Sequence, residues 1–463
     1  MGGVCGVYSP REPVIFDLLS TTQRLQHLGQ EWSGIAISKN QNITYVVKPY
    51  IVRQAFPIRK ITHEDEEDRP LDAYQGIMGI GATNASEKQP MCVYSQFGQF
   101  ALAFDGRILN LDSLNESILE KGQTLYRKNE TELLTKLIAK GDSVVNGIKY
   151  MNDVVEGSYS IVVLNGDSIY AARDPLAVNP LQLGELDGKL VVASETDAIR
   201  RAGVEFKRDL NPGEIIKLSE KGIETVGQME SIRRAHCSFR PVYTSRADAI
   251  FDGITSDIVR KKIGAWHMAQ DLKEGFRFDF TTGMQMSGTS YGLGASTASR
   301  ELFDEYQHFV PYDEAFLYDR FSWRSYIPPT QKARDRMASE KVSVMEHTVK
   351  GKIFSLYDDS IVRGTVFART IADLMAAGAK EVHARIGYPP LEDVCLLNSS
   401  TKSKKELAIY KYNDVEGIRK HIGATTLRYT PLEVMLGIMT EGTNLTKNDF
   451  CTFCANSVNP IRG

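Results

Sequence analysis

Two domains of different build are expected from this sequence: a layered α+β domain over residues 1–230 and an α/β domain with a parallel sheet over residues 231–463. Three observations carry the expectation. The chain has 463 residues, too many for one compact core. Short strand patterns dominate its first half, with helical patterns set apart from them. From about residue 250 the two alternate, and the change near 228–240 comes with neither an internal repeat nor a low-complexity linker.

In the first half, Ile35–Ser38, Ile43–Lys48, Phe100–Phe104, Tyr159–Leu164, Ile169–Ala172, Leu190–Ser194 and Glu214–Leu218 are short apolar runs, the pattern of strands. Phe16–Leu28, Leu111–Glu120 and Thr131–Ala139 repeat apolar residues at helical spacing. In the second half, helical stretches near 255–272, 365–379 and 430–440 are set among strands near 278–282, 352–357 and 381–386. Such alternation favours a parallel sheet with covering helices.

Hydrophobic residues make up 42% of the chain, enough to bury real cores. Lys and Arg number 55 against 58 acids, a net charge of −3, so no global field would draw the chain to nucleic acid or an anionic membrane. A small-molecule partner is the expectation. The charge runs His63–Arg69 and Lys402–Glu406 read as solvated loops or helix faces. The start, MGGVCGVYSP, lacks the basic and apolar regions of a signal peptide, and no stretch approaches the ~18 apolar residues of a membrane span. A cytoplasmic protein is expected. In that reducing setting the six cysteines suit chemistry or metal ligation better than a disulfide framework.

Residues 350–368, KGKIFSLYDDSIVRGTVFA, are the most informative stretch. Lys352–Tyr357 reads as a buried strand, and Phe367, Ile371, Leu374 and Met375 then recur on one helix face. The loop between them sits where open α/β sheets place ligands, at the carboxyl end of a strand. Ser360, Thr365 and the backbone around Gly364 suit an anion at the positive end of the helix. Asp358 and Asp359 suit ribose hydroxyls or a Mg²⁺-bound sugar, though two adjacent acids are also what a solvated turn carries.

The full octet Asp358-Asp359-Ser360-Ile361-Val362-Arg363-Gly364-Thr365 resembles the phosphoribosyl-pyrophosphate (PRPP) loop of type I phosphoribosyltransferases, and most closely that of glutamine PRPP amidotransferases. Further runs extend the likeness: Val242 to Gly253, Arg385-Ile386-Gly387-Tyr388-Pro389-Pro390, and Glu406 to Leu436. In the first half, Cys5-Gly6-Val7, Leu25 to Glu31, Phe104-Asp105-Gly106 and Ala171 to Leu176 follow the order found in N-terminal-nucleophile glutamine amidotransferases. The resemblance implies an α+β sandwich of that type, class II of the glutamine amidotransferases, followed by a type I phosphoribosyltransferase domain. It implies transfer of the phosphoribosyl group of PRPP to ammonia or another small amine, as in phosphoribosylamine formation for purine synthesis, by a homo-oligomer. The alternative is a non-catalytic paralogue that binds PRPP or a nucleotide.

Site residues follow from the same likeness. Asp358 to Thr365 would hold PRPP, with Asp358 and Asp359 also on Mg²⁺, and Ser287-Gly288 would bind the pyrophosphate although the family's acid in that loop is absent. The flap resembles Phe316 to Ile327, with Arg320 and Arg324 matching family Arg positions; Arg324 is the candidate for steadying the leaving pyrophosphate, against a plain surface Arg. Cys237, Cys395, Cys451 and Cys454 fall where the iron–sulfur subgroup places its ligands, and four thiolates suit a [4Fe–4S] cluster or Zn²⁺. Cys92 is left as a core residue. Cys5 would be the glutaminase nucleophile if Met1 to Val4 were removed, or else a small buried residue, and Asp105-Gly106 would form the oxyanion hole. Leu28 and Asp105 stand where the family has Arg and Asn, and Gly79-Ile80-Gly81 runs straight into Ala82-Thr83-Asn84 without the Arg that grips the glutamine carboxylate. Those departures predict that glutamine is a poor donor.

Overall fold

A computed structural model describes residues 2–56, 74–231, 233–318, 342–397 and 403–461. The first half is built on two antiparallel sheets. Its strands are β1 (Gly2–Tyr8), β2 (Trp32–Lys39), β3 (Asn42–Pro49), β4 (Met78–Asn84), β5 (Met91–Ser95), β6 (Gly98–Ile108), β7 (Gly157–Asn165), β8 (Ser168–Arg173), β9 (Gln182–Leu186), β10 (Lys189–Ala193), β11 (Glu205–Asp209), β12 (Glu214–Ser219) and β13 (Gly222–Gln228). One sheet runs β11-β9-β10-β1-β4-β2-β3 and the other β13-β12-β8-β7-β6-β5. Between them lie Val4, Ala36, Ile80, Ala103, Val162, Ile169 and Val192, all but fully buried. Helix α1 (Ile15–Arg24) covers the outer face of the first sheet, and α2 (Leu111–Glu120), α3 (Glu130–Ile138) and α4 (Val144–Val154) cover the second. This four-layer α+β sandwich is the expected fold. Every expected strand and helix is present, with α1 stopping at Arg24 rather than Leu28.

The second half carries a four-stranded parallel sheet, β14 (Phe280–Gly283), β15 (Ile353–Asp358), β16 (Glu381–Ile386) and β17 (Thr426–Tyr429), in that spatial order. Its helices include α5 (Ser256–Lys273), α6 (Thr289–Glu301), α7 (Thr365–Ala376), α8 (Val415–Ile422) and α9 (Leu432–Thr440). After β14 the chain forms α6 and returns Tyr312 as a parallel bridge beside Thr281. It then crosses to the other side of β14 to lay down β15. That reversal opens a crevice outside the carboxyl ends of β14 and β15, the place such sheets reserve for ligands.

Helices α4, α6 and α8 and strands β1, β4, β5, β9, β11, β13 and β17 escape the sequence pattern. Helix α6, TSYGLGASTASRE, has no apolar stripe because its buried face consists of Ser290, Tyr291, Gly292, Gly294, Ala295, Ala298 and Ser299. Strands β1 and β4 are wholly buried but Gly-rich, and glycine argues against strand on propensity alone. Their assignment is won by pairing on both sides. Among the described residues no helix is long and apolar enough to cross a membrane.

Candidate active site

Strand β15 ends at Asp358 and hands the chain to a loop that closes onto α7. Gly364 caps that helix with φ +80°, in the left-handed region glycine favours, and no side chain caps the helix's first N–H groups. Phe367, Ile371 and Leu374 anchor the helix on the sheet, so its positive end stays aimed at the loop. The carbonyls of Asp358 and Asp359 accept from Gly387 (2.9 Å) and Tyr388 (2.7 Å), which pins the backbone under the two acids. Ser287 donates to Asp358 Oδ1 (2.6 Å), and Ser360 to Asp359 Oδ2 (2.5 Å).

Burial, and then the neighbouring Asp359, push the Asp358 carboxyl well above the usual carboxylate range. Asp359, 4% exposed, is raised by burial as well. Two adjacent acids that resist ionising together are a poor resting state and a good receptor for a cation or for ribose hydroxyls. Tyr243, half exposed, is near enough that partial burial and the charges of Asp359 and Asp358 raise its hydroxyl. The sequence placed Tyr243 in a matching segment but gave it no role.

The facing loop, Met284 to Gly288, joins β14 to α6. Met284 N–H donates to Tyr357 O (2.8 Å) and Gly288 N–H to Met284 O (2.7 Å). A Cβ on Gly288 would lie 2.2 Å from Tyr357 O, so only glycine lets this loop pass so close to β15. Ser287 and Gly288 are thus brought to Asp358, as expected. Arg363 turns outward to Glu406 (3.0 Å), so the run Lys402–Glu406 does more than meet solvent: its last acid holds the loop. Phe316–Tyr318 pairs with Val342–Val344, while Arg320 and Arg324 lie outside the described residues.

The amide-donor half departs from expectation at Cys5. Cys5 lies in the middle of β1, paired with Ala193 on one side and Gly81 on the other, and is 0% exposed. Its thiol packs under α1, 3.3 Å from Thr22 Oγ1, and burial pushes it up to about 12. It is a structural residue there. The residue that meets Asp105-Gly106 is Gly2, whose N–H donates to Asp105 Oδ1 (2.8 Å). Gly2 has no nucleophile to offer, and a Cβ there would sit 2.5 Å from Thr83 O.

Asp105, 1% exposed, is committed as an acceptor rather than an oxyanion donor. Its Oδ2 faces Arg240 Nη2 at 3.5 Å, and the same guanidinium donates to Asn179 (3.0 Å) and approaches Glu195 at 3.9 Å. Arg240 comes from the start of the second domain. Sequence reasoning missed it because its partners are 61 and 135 positions away. Leu28, 2% exposed, is core.

Between the two half-sites is a cavity of about 110 Å³. Asp105, Gly106 and Arg240 from the amide-donor side and Val362 and Leu407 from the second domain line it, together with all four of Cys237, Cys395, Cys451 and Cys454. Parallel pairing of His236–Cys237 with Phe450–Cys451 ties the chain's last segment to the start of the domain. Burial and the neighbouring Cys237 and Cys395 push Cys451 up to about 12, and Cys454 is raised for the same reasons. Thiols so placed ionise poorly until a metal takes their protons. Among the described residues no three His, Cys, Asp or Glu side chains meet tightly enough to hold a single metal ion. Cys92 is half-buried on edge strand β5 and accepts from Gln99 (3.4 Å).

A glutamine-amidotransferase-type sandwich that leads into a phosphoribosyltransferase sheet is the class of protein this fold and loop define. Residues 78–201 match the glutamine amidotransferase domain family. An amidophosphoribosyltransferase of Archaeoglobus fulgidus is 32% identical over 478 residues, covering 100% of this chain and 98% of that protein. That of Bacillus subtilis is 29% identical, over 89% and 84%. The solved structure of the Bacillus subtilis glutamine PRPP amidotransferase with ADP and GMP superposes with a TM-score of 0.87 at 28% identity, covering 99% of this chain and 97% of the other. The chain belongs to the amidophosphoribosyltransferase family.

Proposed function

We propose that this chain transfers the phosphoribosyl group of PRPP to free ammonia or another small amine, forming phosphoribosylamine for purine synthesis in the ammonia case, and does so without hydrolysing glutamine. The observation that carries the first part is the adjacent Asp358–Asp359 pair at the mouth of the β14/β15 crevice, Asp359 buried and Asp358 bridged by Ser287 to the opposite loop. The two acids hold the ribose hydroxyls. Backbone N–H groups from Ser360 to Thr365 cradle the 5-phosphate at the start of α7. The Ser287–Gly288 loop receives the pyrophosphate as its bond to the anomeric carbon breaks, and the amine's lone pair forms the new C–N bond at that carbon. Asp358 and Asp359 would hold Mg²⁺ together with the substrate, and the ion would supply charge neutralisation to the leaving group. By the resemblance alone, Arg324 is the candidate for that end of the reaction. The named relatives are enzymes, and nothing in them favours a non-catalytic paralogue.

Gly2 at the place of the nucleophile supports the second part. Acyl transfer needs a side-chain nucleophile, and here there is neither the atom nor the room. The cysteine ring suits a [4Fe–4S] cluster better than zinc. A tetrahedral Zn²⁺ would draw four sulfurs to within about 3.8 Å of one another, from Zn–S bonds of ~2.3 Å. These four instead share the lining of one cavity and, among the described residues, do not meet at a single point. When bound, the cluster would tie the chain's last segment to the domain's opening. A homo-oligomer in the cytoplasm is the setting we propose from the family likeness.

The deciding assay is pyrophosphate release from PRPP and Mg²⁺ with glutamine, with ammonia and with neither, followed together with glutamate formation. Turnover with ammonia and little glutamate from glutamine is expected, and Cys5→Ala should leave the ammonia rate unchanged. Brisk glutamate formation abolished by Cys5→Ala would overturn the reading of the amide-donor half.

A further inference from the structure

Tyr388 joins the cysteine ring to the PRPP loop. It is 0% exposed, and its N–H donates to the Asp359 carbonyl at 2.7 Å. Its hydroxyl lies 2.8 Å from Ser238 Oγ and 3.1 Å from Cys454 Sγ, while Ser238 Oγ reaches the Cys451 carbonyl at 2.7 Å. Four groups in a row therefore share the hydrogens of one thiol and two hydroxyls.

Each hydroxyl owns one hydrogen, so the direction of the row can be counted. With Cys454 as a thiol, S–H donates to Tyr388, Tyr388 to Ser238, and Ser238 to the Cys451 carbonyl; every hydrogen has an acceptor. When Cys454 gives up its proton to bind metal, the first donor disappears. The row then gains by running the other way, with Ser238 donating to Tyr388 and Tyr388 to the Cys454 sulfur. A bond to an ionised acceptor is roughly twice as strong as a neutral one. The Cys451 carbonyl keeps the Ser238 backbone N–H, at 3.3 Å.

We propose that Tyr388 is the hydrogen-bond donor to metal-bound Cys454, a positioning residue that stabilises charge on that sulfur and so sets how firmly and at what potential the cluster is held. The inference rests on the cluster reading above. Hydrogen bonds to a cluster's sulfurs raise its reduction potential, and loss of an outer-shell partner weakens metal retention. Phe at this position keeps the ring, which packs edge-on against Phe239 with centroids 4.8 Å apart, and removes only the hydroxyl, which donates to Cys454 and accepts from Ser238.

The test compares wild type, Tyr388→Phe and Ser238→Ala, all purified without oxygen, for iron and sulfide content, reduction potential and the rate of bleaching in air. Tyr388→Phe is expected to bleach several-fold faster and to reduce at a more negative potential, with Ser238→Ala close to wild type because it spares the Tyr388–Cys454 bond. Equal bleaching and potential in wild type and Tyr388→Phe, at equal iron, would remove the role assigned to Tyr388 and leave the cluster standing. Wild type lacking iron and sulfide would instead sink the cluster reading itself. If Tyr388→Phe fails to fold, resonance Raman of the wild type decides: a cysteinyl Fe–S stretch that shifts in deuterated water supports the donor, and one that does not shift overturns it.

Discussion

At the scale of single residues, Asp358 shows how a site can be built against stability. Its folded-state proton affinity is raised by burial and by Asp359. A carboxyl that holds its proton more tightly when folded adds stability below the ordinary carboxylate range, and that stability is lost as pH rises through the raised value. At neutral pH and without ligand the group therefore works against the fold. Asp358→Asn is expected to raise Tm at pH 8, with the gain shrinking toward pH 4, in a thermal scan across that range. The double change Asp358→Asn with Asp359→Asn should weaken PRPP binding by about 1.5–3 kcal/mol per lost charge-assisted contact, read by calorimetry. A double variant that binds PRPP as wild type does would move the site elsewhere.

Among elements, the crossing of α5 and α6 decides where the Met284–Gly288 loop, proposed to receive pyrophosphate, sits. A Cβ on Gly264 would lie 1.9 Å from Tyr291 O, and one on Gly294 would lie 2.0 Å from Lys261 O, so the helices touch backbone to backbone. Tyr291 also donates to Val242 O at 2.9 Å, tying α6 to the domain's opening segment. Gly294→Ala has to push the helices apart. It is expected to cost ~1–3 kcal/mol in denaturant unfolding, the usual range for overpacking, and to weaken pyrophosphate binding because Gly288 caps the displaced helix. Unchanged stability and binding would mean that α6 does not position the loop. The sequence carried a usable signal here, small residues at three- and four-residue spacing, but a search for apolar stripes passes over it.

Across the whole molecule, the halves are joined by charge as well as by chain. Arg173, at the end of β8 and 1% exposed, donates to both oxygens of Asp252 (3.0 and 2.7 Å) and to the carbonyls of Asn179, Ala177 and Leu210. Asp252 belongs to the second half, in the turn between Ile250–Phe251 and Ile254–Thr255. Burial alone would raise its carboxyl, but the charge and hydrogen bonds of Arg173 hold it below the usual range. Its contribution is thus present at neutral pH and lost on acidification. Asp252→Ala leaves a buried guanidinium without its anion, which typically costs ~3–5 kcal/mol. The expected outcome is that one calorimetric unfolding transition splits into two, the sandwich and the transferase domain melting apart. A single transition at the wild-type temperature would show that the junction is held by other contacts.

What the sequence determined by itself is what folds locally. The octet Asp358 to Thr365 is one strand end, one loop and one helix start, so neighbours in sequence are neighbours in space and the chemistry is legible as a string. The four cysteines were legible as a set from their matched positions, yet that they share one cavity wall depends on Cys237 pairing beside Cys451 across more than two hundred residues. Only the tertiary structure decided the amide-donor half. Cys5 has the right atom, but β1 takes its register from Ala193 and Gly81, far along the chain. Cys5 stands three positions beyond Gly2, and in a strand an odd shift turns a side chain to the other face. The thiol is therefore aimed under α1, and a residue with no side chain is left at Asp105.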